Sequence, residues 1–286
     1  MTRLASLAIL LLALSPVPAA AHRIAIVAAE NFYGDVAAQI GGPDVTVHSI
    51  LTNPDQDPHL FEASPSVGRD LSTARIVIYS GIDYDPWMPK LLQATHDPGR
   101  QAIDVAALVG GKPGDNPHIW YNPATMPALA NRLAAELIAA DPAHKAGYEQ
   151  RLARFGKSMQ PVLNKIAALR RRLAGTPVIA TEPVFGEMFA ALGMDVHDMP
   201  FQIAVMNNTE PAASAVAAFE NDLRSHRVRL MVYNSQASDP IAARMMRLAK
   251  QCHVPVVGAT ETEPPGKTYQ AWMLSELDAV DRALPR

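Results

Sequence analysis

Tyr148, Leu152, Phe155, Met159, Leu163, Ile166, Leu169 and Leu173 recur at spacings of three or four. One apolar face at this period predicts an amphipathic helix of about thirty residues, roughly 45 Å if unbroken. Pro161 predicts a kink within it, and Gly175-Thr176-Pro177 stops it. Whatever lies on either side must be organised around this rod. On the N-terminal side, strand-like runs at 23–29, 45–51, 76–79 and 103–105 alternate with helical patterns at 32–40, 66–72 and 87–94. A further helix covers 125–140, and Asp141-Pro142 restarts the pattern with a capping residue and a proline in the first turn.

Beyond the rod the alternation resumes. Strands are expected at 178–180, 195–196, 230–233 and 254–257, with helices at 184–192, 212–225, 241–251 and 269–284. Short strands alternating with helices give parallel βαβ units. The expected fold is α/β: two lobes, each a small, mostly parallel sheet flanked by helices, joined by one long linking helix. The expected boundaries are a signal peptide at 1–21, an N-terminal lobe at 22–135, the linking helix at 136–174 and a C-terminal lobe at 175–286.

The first residues carry the pattern of an export signal. Arg3 supplies positive charge, 4–14 form a core of Leu, Ala and Ile, and Ala19-Ala20-Ala21 offers the small residues of a cleavage site. That run is too short to span a bilayer, so no stable membrane insertion is expected. No cysteine stands at the cleavage site for a lipid anchor, and the sole cysteine, Cys252, reads as a small hydrophobe beside a strand. The expectation is a soluble periplasmic monomer cleaved near Ala21. A net charge of −3 without a long Lys/Arg run argues against nucleic acid; Arg170-Arg171-Arg172 suits the C-terminal pole of the long helix.

Two segments place a histidine directly after a proline: Asp57-Pro58-His59-Leu60-Phe61 and Asn116-Pro117-His118-Ile119-Trp120. Proline fixes φ and drives its predecessor towards an extended conformation, so each imidazole projects from a stiff loop. Neutral imidazole is the commonest metal ligand. Ligands of open α/β sheets bind beyond the carboxyl ends of the strands. His59 and His118 follow strands of the first half; in the second, 178–180 runs into Glu182 and 254–257 runs towards Glu261 and Glu263. Two imidazoles and two carboxylates would neutralise a divalent cation. Each carboxylate has another reading: Glu182 at a helix N-terminus is stabilised by the dipole alone, and Glu261 and Glu263 lie in a proline-rich loop open to solvation. His48, His96, His144, His197, His226 and His253 stand in polar contexts and are not expected to be ligands. The segments 206–211 and 233–236 read equally as cleft linings that bond the ligands or as polar turns.

The two histidine motifs, the first continuing through Glu62-Ala63-Ser64-Pro65, resemble those of periplasmic metal receptors of ABC importers, the zinc-uptake or TroA-like family. Ser80-Gly81 followed by Asp83 and Trp87 is similar to the family's pattern after its third strand. Thr181-Glu182-Pro183-Val184-Phe185-Gly186 resembles the segment of the third ligand, and Gly258-Ala259-Thr260-Glu261 that of the fourth. The resemblance implies that His59, His118, Glu182 and Glu261 hold one Zn²⁺ or Mn²⁺ as cargo for an ABC permease. Three departures stand out: no His-rich loop precedes the second motif, the third ligand is Glu rather than His, and the fourth is Glu where Asp is usual. Oxygen ligands lean towards manganese or iron, whereas the Irving–Williams order leans towards zinc.

Two other functions fit parts of the pattern. An exported metal-dependent hydrolase could use the same site, although neither His-Glu-x-x-His nor Gly-x-Ser-x-Gly occurs. A receptor for an organic solute would explain two lobes but not the paired Pro-His motifs.

Overall fold

The computed structural model describes residues 23–53, 56, 61–237 and 239–284. The signal-like segment and most of the first Pro-His motif, His59 included, lie outside them. The first half runs β1 (Ile24–Glu30), α1 (Asn31–Gly41), β2 (Val45–Leu51), α2 (Pro65–Thr73), β3 (Ile76–Tyr79), α3 (Trp87–Ala94), β4 (Gln101–Asp104) and α4 (Val105–Leu108), and ends with α5 (Thr125–Ala140). After α6 (Lys145–Leu173) come β5 (Pro177–Ala180), α7 (Gly186–Leu192), β6 (Asp195–His197), α8 (Met199–Met206), α9 (Ala213–Arg224), β7 (Leu230–Asn234), α10 (Pro240–Gln251), β8 (Val256–Ala259) and α11 (Tyr269–Ala283).

The strands form two four-stranded sheets ordered β2-β1-β3-β4 and β6-β5-β7-β8, every pair parallel. Each half therefore winds first to one side of its leading strand and then to the other. The crevices where the winding reverses lie beyond the carboxyl ends of β1 and β3, and of β5 and β7. The α/β architecture with a long helix between the two sheets agrees with the expectation.

Four local departures have physical reasons. Residues 136–140 are the last turn of α5, not the start of the long helix. Asp141 leaves the helical region at φ −143°, ψ 74°, and Pro142 has no amide to continue the ladder. Helix α6 then runs 29 residues through Pro161 without ending there. Strand β8 occupies 256–259 rather than 254–257: Pro255 cannot donate and offers only its carbonyl to Met231, so pairing begins at Val256. Val105 opens α4 instead of ending β4, because the Asp104 carboxylate caps the amide of Ala107 at 3.0 Å. Helix α8 is an addition; its nearly all-apolar Met-Pro-Phe-Gln-Ile-Ala-Val-Met has no polar face from which a period could be read.

The two sheets share a core. Phe32 of α1 stacks near Trp120 and Trp272, with ring centroids 4.8 and 5.9 Å away, and Tyr121 meets Phe185 at 4.9 Å. These rings come from both halves and are buried under the cleft. The apolar face of α6, including Tyr148, Phe155, Met159, Ile166 and Leu169, packs into the same cluster. Its C-terminal end is anchored by charge: Arg170 donates to the carbonyls of Ala190 and Ala191, while Arg172, and Lys165 two turns earlier, pair with Asp281 of α11. Cys252 is half-buried at the end of α10, packed against the core of the second sheet.

Candidate metal centre

His118 is fully buried and opens the 3₁₀ turn Ile119–Tyr121. Its Nδ1 lies 2.7 Å from Oδ1 of Asn116, an oxygen that also accepts the backbone N–H of His118 at 3.1 Å. An amide oxygen can only accept, so Nδ1 carries the hydrogen and Nε2 keeps its lone pair. The other end of the Asn116 amide donates to the carbonyl of Pro183 at 2.8 Å, tying the second Pro-His loop to the segment that follows β5. Gly186 makes room for this: a Cβ there would stand 2.6 Å from Nδ2 of Asn116.

Glu182 follows β5 and Glu261 follows β8, both buried. Glu182 occupies the capping position of a 3₁₀ turn but makes no capping bond. Its Oε2 instead takes Nδ2 of Asn234, the last residue of β7, at 3.3 Å. The same Nδ2 reaches Oε1 of Glu261 at 2.5 Å, while Oε2 of Glu261 accepts the Tyr84 hydroxyl at 3.0 Å. Nε2 of His118 stands 3.9 Å from Oε1 of Glu261. Three of the four residues expected as ligands are thus brought to one place, with an amide between the carboxylates. Among the described residues, no group of three or more His, Cys, Asp or Glu side chains is close enough to hold an ion.

Of the two polar segments, 233–236 lines the cleft. Besides the role of Asn234, Oε1 of Gln236 accepts the backbone amides of Glu261 and Thr262. The next amide, that of Glu263, goes to Oδ1 of Asn31, whose Nδ2 returns a bond to the Glu263 carbonyl. The other segment, 206–211, is a polar turn closed by Thr209 on the Ala204 carbonyl, with Asn208 at φ 53°. Glu263 is held apart from the Glu182–Asn234–Glu261 contacts, near Asp35. Burial, and then the Asp35 charge, push its carboxyl up to about 9.

Beneath the site lie acidic residues that spacing alone does not single out. Glu30 ends β1, fully buried, and burial followed by the Asp85 charge holds its carboxyl well above the usual range. Asp85 accepts the amides of Ser80 and Gly81 at 2.7 and 3.0 Å, yet burial still raises it to about 6. The only sequence signal for Glu30 is a carboxylate ending a buried strand where the winding reverses. Three of the remaining histidines are taken up by their own neighbours: His48 by Asp70, His144 by Asp141, and His197 by Asp222 and Asp195.

An imidazole that turns Nε2 towards a carboxylate, with a second carboxylate beside it, is an N/O donor set for a divalent ion. The sequence profile for the periplasmic component A of the zinc-uptake complex matches residues 26–283. The manganese ABC transporter substrate-binding lipoprotein scaA of Streptococcus gordonii is 23% identical over 297 residues, covering 95% of this chain and 92% of its own length. The iron ABC transporter substrate-binding lipoprotein MtsA of Streptococcus pyogenes serotype M1 is 22% identical, covering 94% and 91%. The periplasmic zinc-binding protein TroA of Treponema pallidum shares the fold, with a TM-score of 0.78, 16% identity, and coverage of 93% of this chain and all of that one. These relatives give the hydrolase alternative no support. The chain belongs to the family of the periplasmic component A of the zinc-uptake complex, substrate-binding proteins of metal ABC importers and not enzymes.

Proposed function

We propose that this protein captures one Zn²⁺ or Mn²⁺ in the periplasm through His59, His118, Glu182 and Glu261 and delivers it to the permease of an ABC importer. The observation that carries the reading is the Asn234 amide, which joins Glu182 and Glu261 while His118 faces Glu261. Bonds of about 2.0–2.1 Å in a tetrahedral shell set ligand atoms about 3.3 Å apart. The 3.9 Å between His118 and Glu261 therefore closes by about half an ångström on binding. His59 joins the set on the strength of its motif. The relatives named above carry manganese, iron and zinc in their names, so the metal is a matter for measurement.

The working parts are two lobes, one beginning at residue 22 and the other at residue 175, joined by the long helix α6, acting as a monomer after removal of a signal peptide near Ala21. No helix among the described residues is long and apolar enough to cross a membrane. The test is elemental analysis of protein stripped with EDTA and dialysed against equimolar zinc, manganese and iron. About one metal per chain in the wild type, lost in His59→Ala and in Glu261→Ala, supports the site. A wild type that retains no metal overturns it and moves attention to an organic solute.

A further inference from the structure

Both polar atoms of the Asn234 side chain and its backbone amide are engaged. Its backbone amide lies 3.3 Å from Oγ1 of Thr181, and its Oδ1 accepts the amide of Gln236 at 3.0 Å. Those two contacts fix the orientation of the carboxamide, so Nδ2 has no choice of direction. Nδ2 then reaches one oxygen on each carboxylate, Oε2 of Glu182 and Oε1 of Glu261. On Glu261 the remaining oxygen is occupied as well, by the Tyr84 hydroxyl. The side chain is 5% exposed, so water does not compete for these bonds.

A carboxylate can offer an ion one oxygen or two. Chelation through both needs the pair turned symmetrically to the metal, and a donor fixed on one oxygen opposes that turn. Glu182 is held through one oxygen by Asn234, and Glu261 through one by Asn234 and through the other by Tyr84, so both are kept from turning. Each then offers the ion one oxygen, and two imidazoles would complete a shell of four, the number zinc favours. Both carboxylates chelating would give six donors, the number suited to manganese. The neutral amide also lets two buried carboxylates approach each other without adding charge.

We propose that Asn234 is a specificity-determining positioning residue: its amide restrains Glu182 and Glu261 to one oxygen each and so tilts the site towards zinc over manganese. The inference rests on the ligand set proposed above and adds the preference that this set encodes.

The test compares Zn²⁺ and Mn²⁺ affinities of mature wild-type, Asn234→Ala and Asn234→Asp proteins by competition with a chelator, with X-ray absorption at the bound metal. The wild type is expected to hold zinc with four donors. Both variants are expected to move the zinc-to-manganese affinity ratio at least tenfold towards manganese, with a higher donor count around bound manganese. Asn234→Asp keeps the shape of the side chain, so it answers the question if the alanine variant does not fold. A wild type that binds manganese more tightly than zinc, or an unchanged ratio with both affinities weakened equally, reduces Asn234 to a structural support and overturns the proposal. The underlying ligand set is checked separately: if Glu182→Gln and Glu261→Gln bind both metals as the wild type does, that assignment fails and this proposal fails with it.

Discussion

The imidazole of His118 is addressed by Asn116 from two residues away: Nδ1 lies 2.7 Å from the amide oxygen, which fixes the tautomer with its lone pair on Nε2. Asn116→Ala removes that partner and also the bond to the Pro183 carbonyl. Loss of such an outer partner typically costs 10–100-fold in metal affinity. The expected result is a fall of about that size, similar for zinc and manganese, in a chelator competition assay. Gly186→Ala, whose Cβ would press on Nδ2 of Asn116, is expected to weaken binding in the same direction. Unchanged affinity in Asn116→Ala would mean that the tautomer needs no such support.

Histidine ligands must shed their proton to bind, so affinity is expected to fall as pH drops through the histidine range, about 6.5, and to be largely lost near pH 5. Isothermal titration at three pH values reads this directly. Affinity unchanged at the lowest value would argue against imidazole ligation.

Glu276 of α11 is 8% exposed and accepts Nε1–H of Trp272 at 3.1 Å; burial pushes its carboxyl up to about 7. The folded state therefore favours the protonated acid. The penalty is absent below the ordinary carboxylate value, grows as pH rises towards 7, and is constant above, amounting to about 3 kcal/mol at most. Glu276→Gln retains an acceptor for Trp272 and removes the charge. Its melting temperature is expected to exceed that of the wild type at pH 8 and to match it near pH 4, by thermal denaturation.

A 29-residue helix and an aromatic core shared by the two sheets leave little freedom for the cleft to gape. Solution scattering of stripped and zinc-loaded protein is expected to give nearly superimposable profiles. A marked compaction on loading would contradict this restraint on the cleft.

The periodicities that announce α6 and the alternating strands are properties of contiguous sequence, which is why the architecture could be read before any coordinates. Glu182 and Glu261 stand out because each closely follows a strand, and His118 because Pro117 sets it off within a known pattern. Asn234 was readable only as one of two possibilities, since an Asn ending a strand serves equally as a turn residue. Its meeting with Glu182 and Glu261 depends on the register of β5 against β7 and β7 against β8. Tyr84 and Glu30 are likewise placed by how the two halves pack, and no local spacing encodes that. The two-residue shift of β8 has a local cause in Pro255, while α8 hid in an apolar run whose helical and extended readings look alike.

The amides of Glu261, Thr262 and Glu263 are spoken for in succession, the first two by Gln236 and the third by Asn31. A connecting loop ordinarily exchanges its amide hydrogens with solvent quickly. Here three consecutive positions are latched to side chains, the first two to Gln236 of the same half and the third to Asn31 of the other, so the Glu263 hydrogen leaves only when the halves part. In deuterium exchange this stretch will behave like an internal strand, and the rate at Glu263 will report how often the cleft opens.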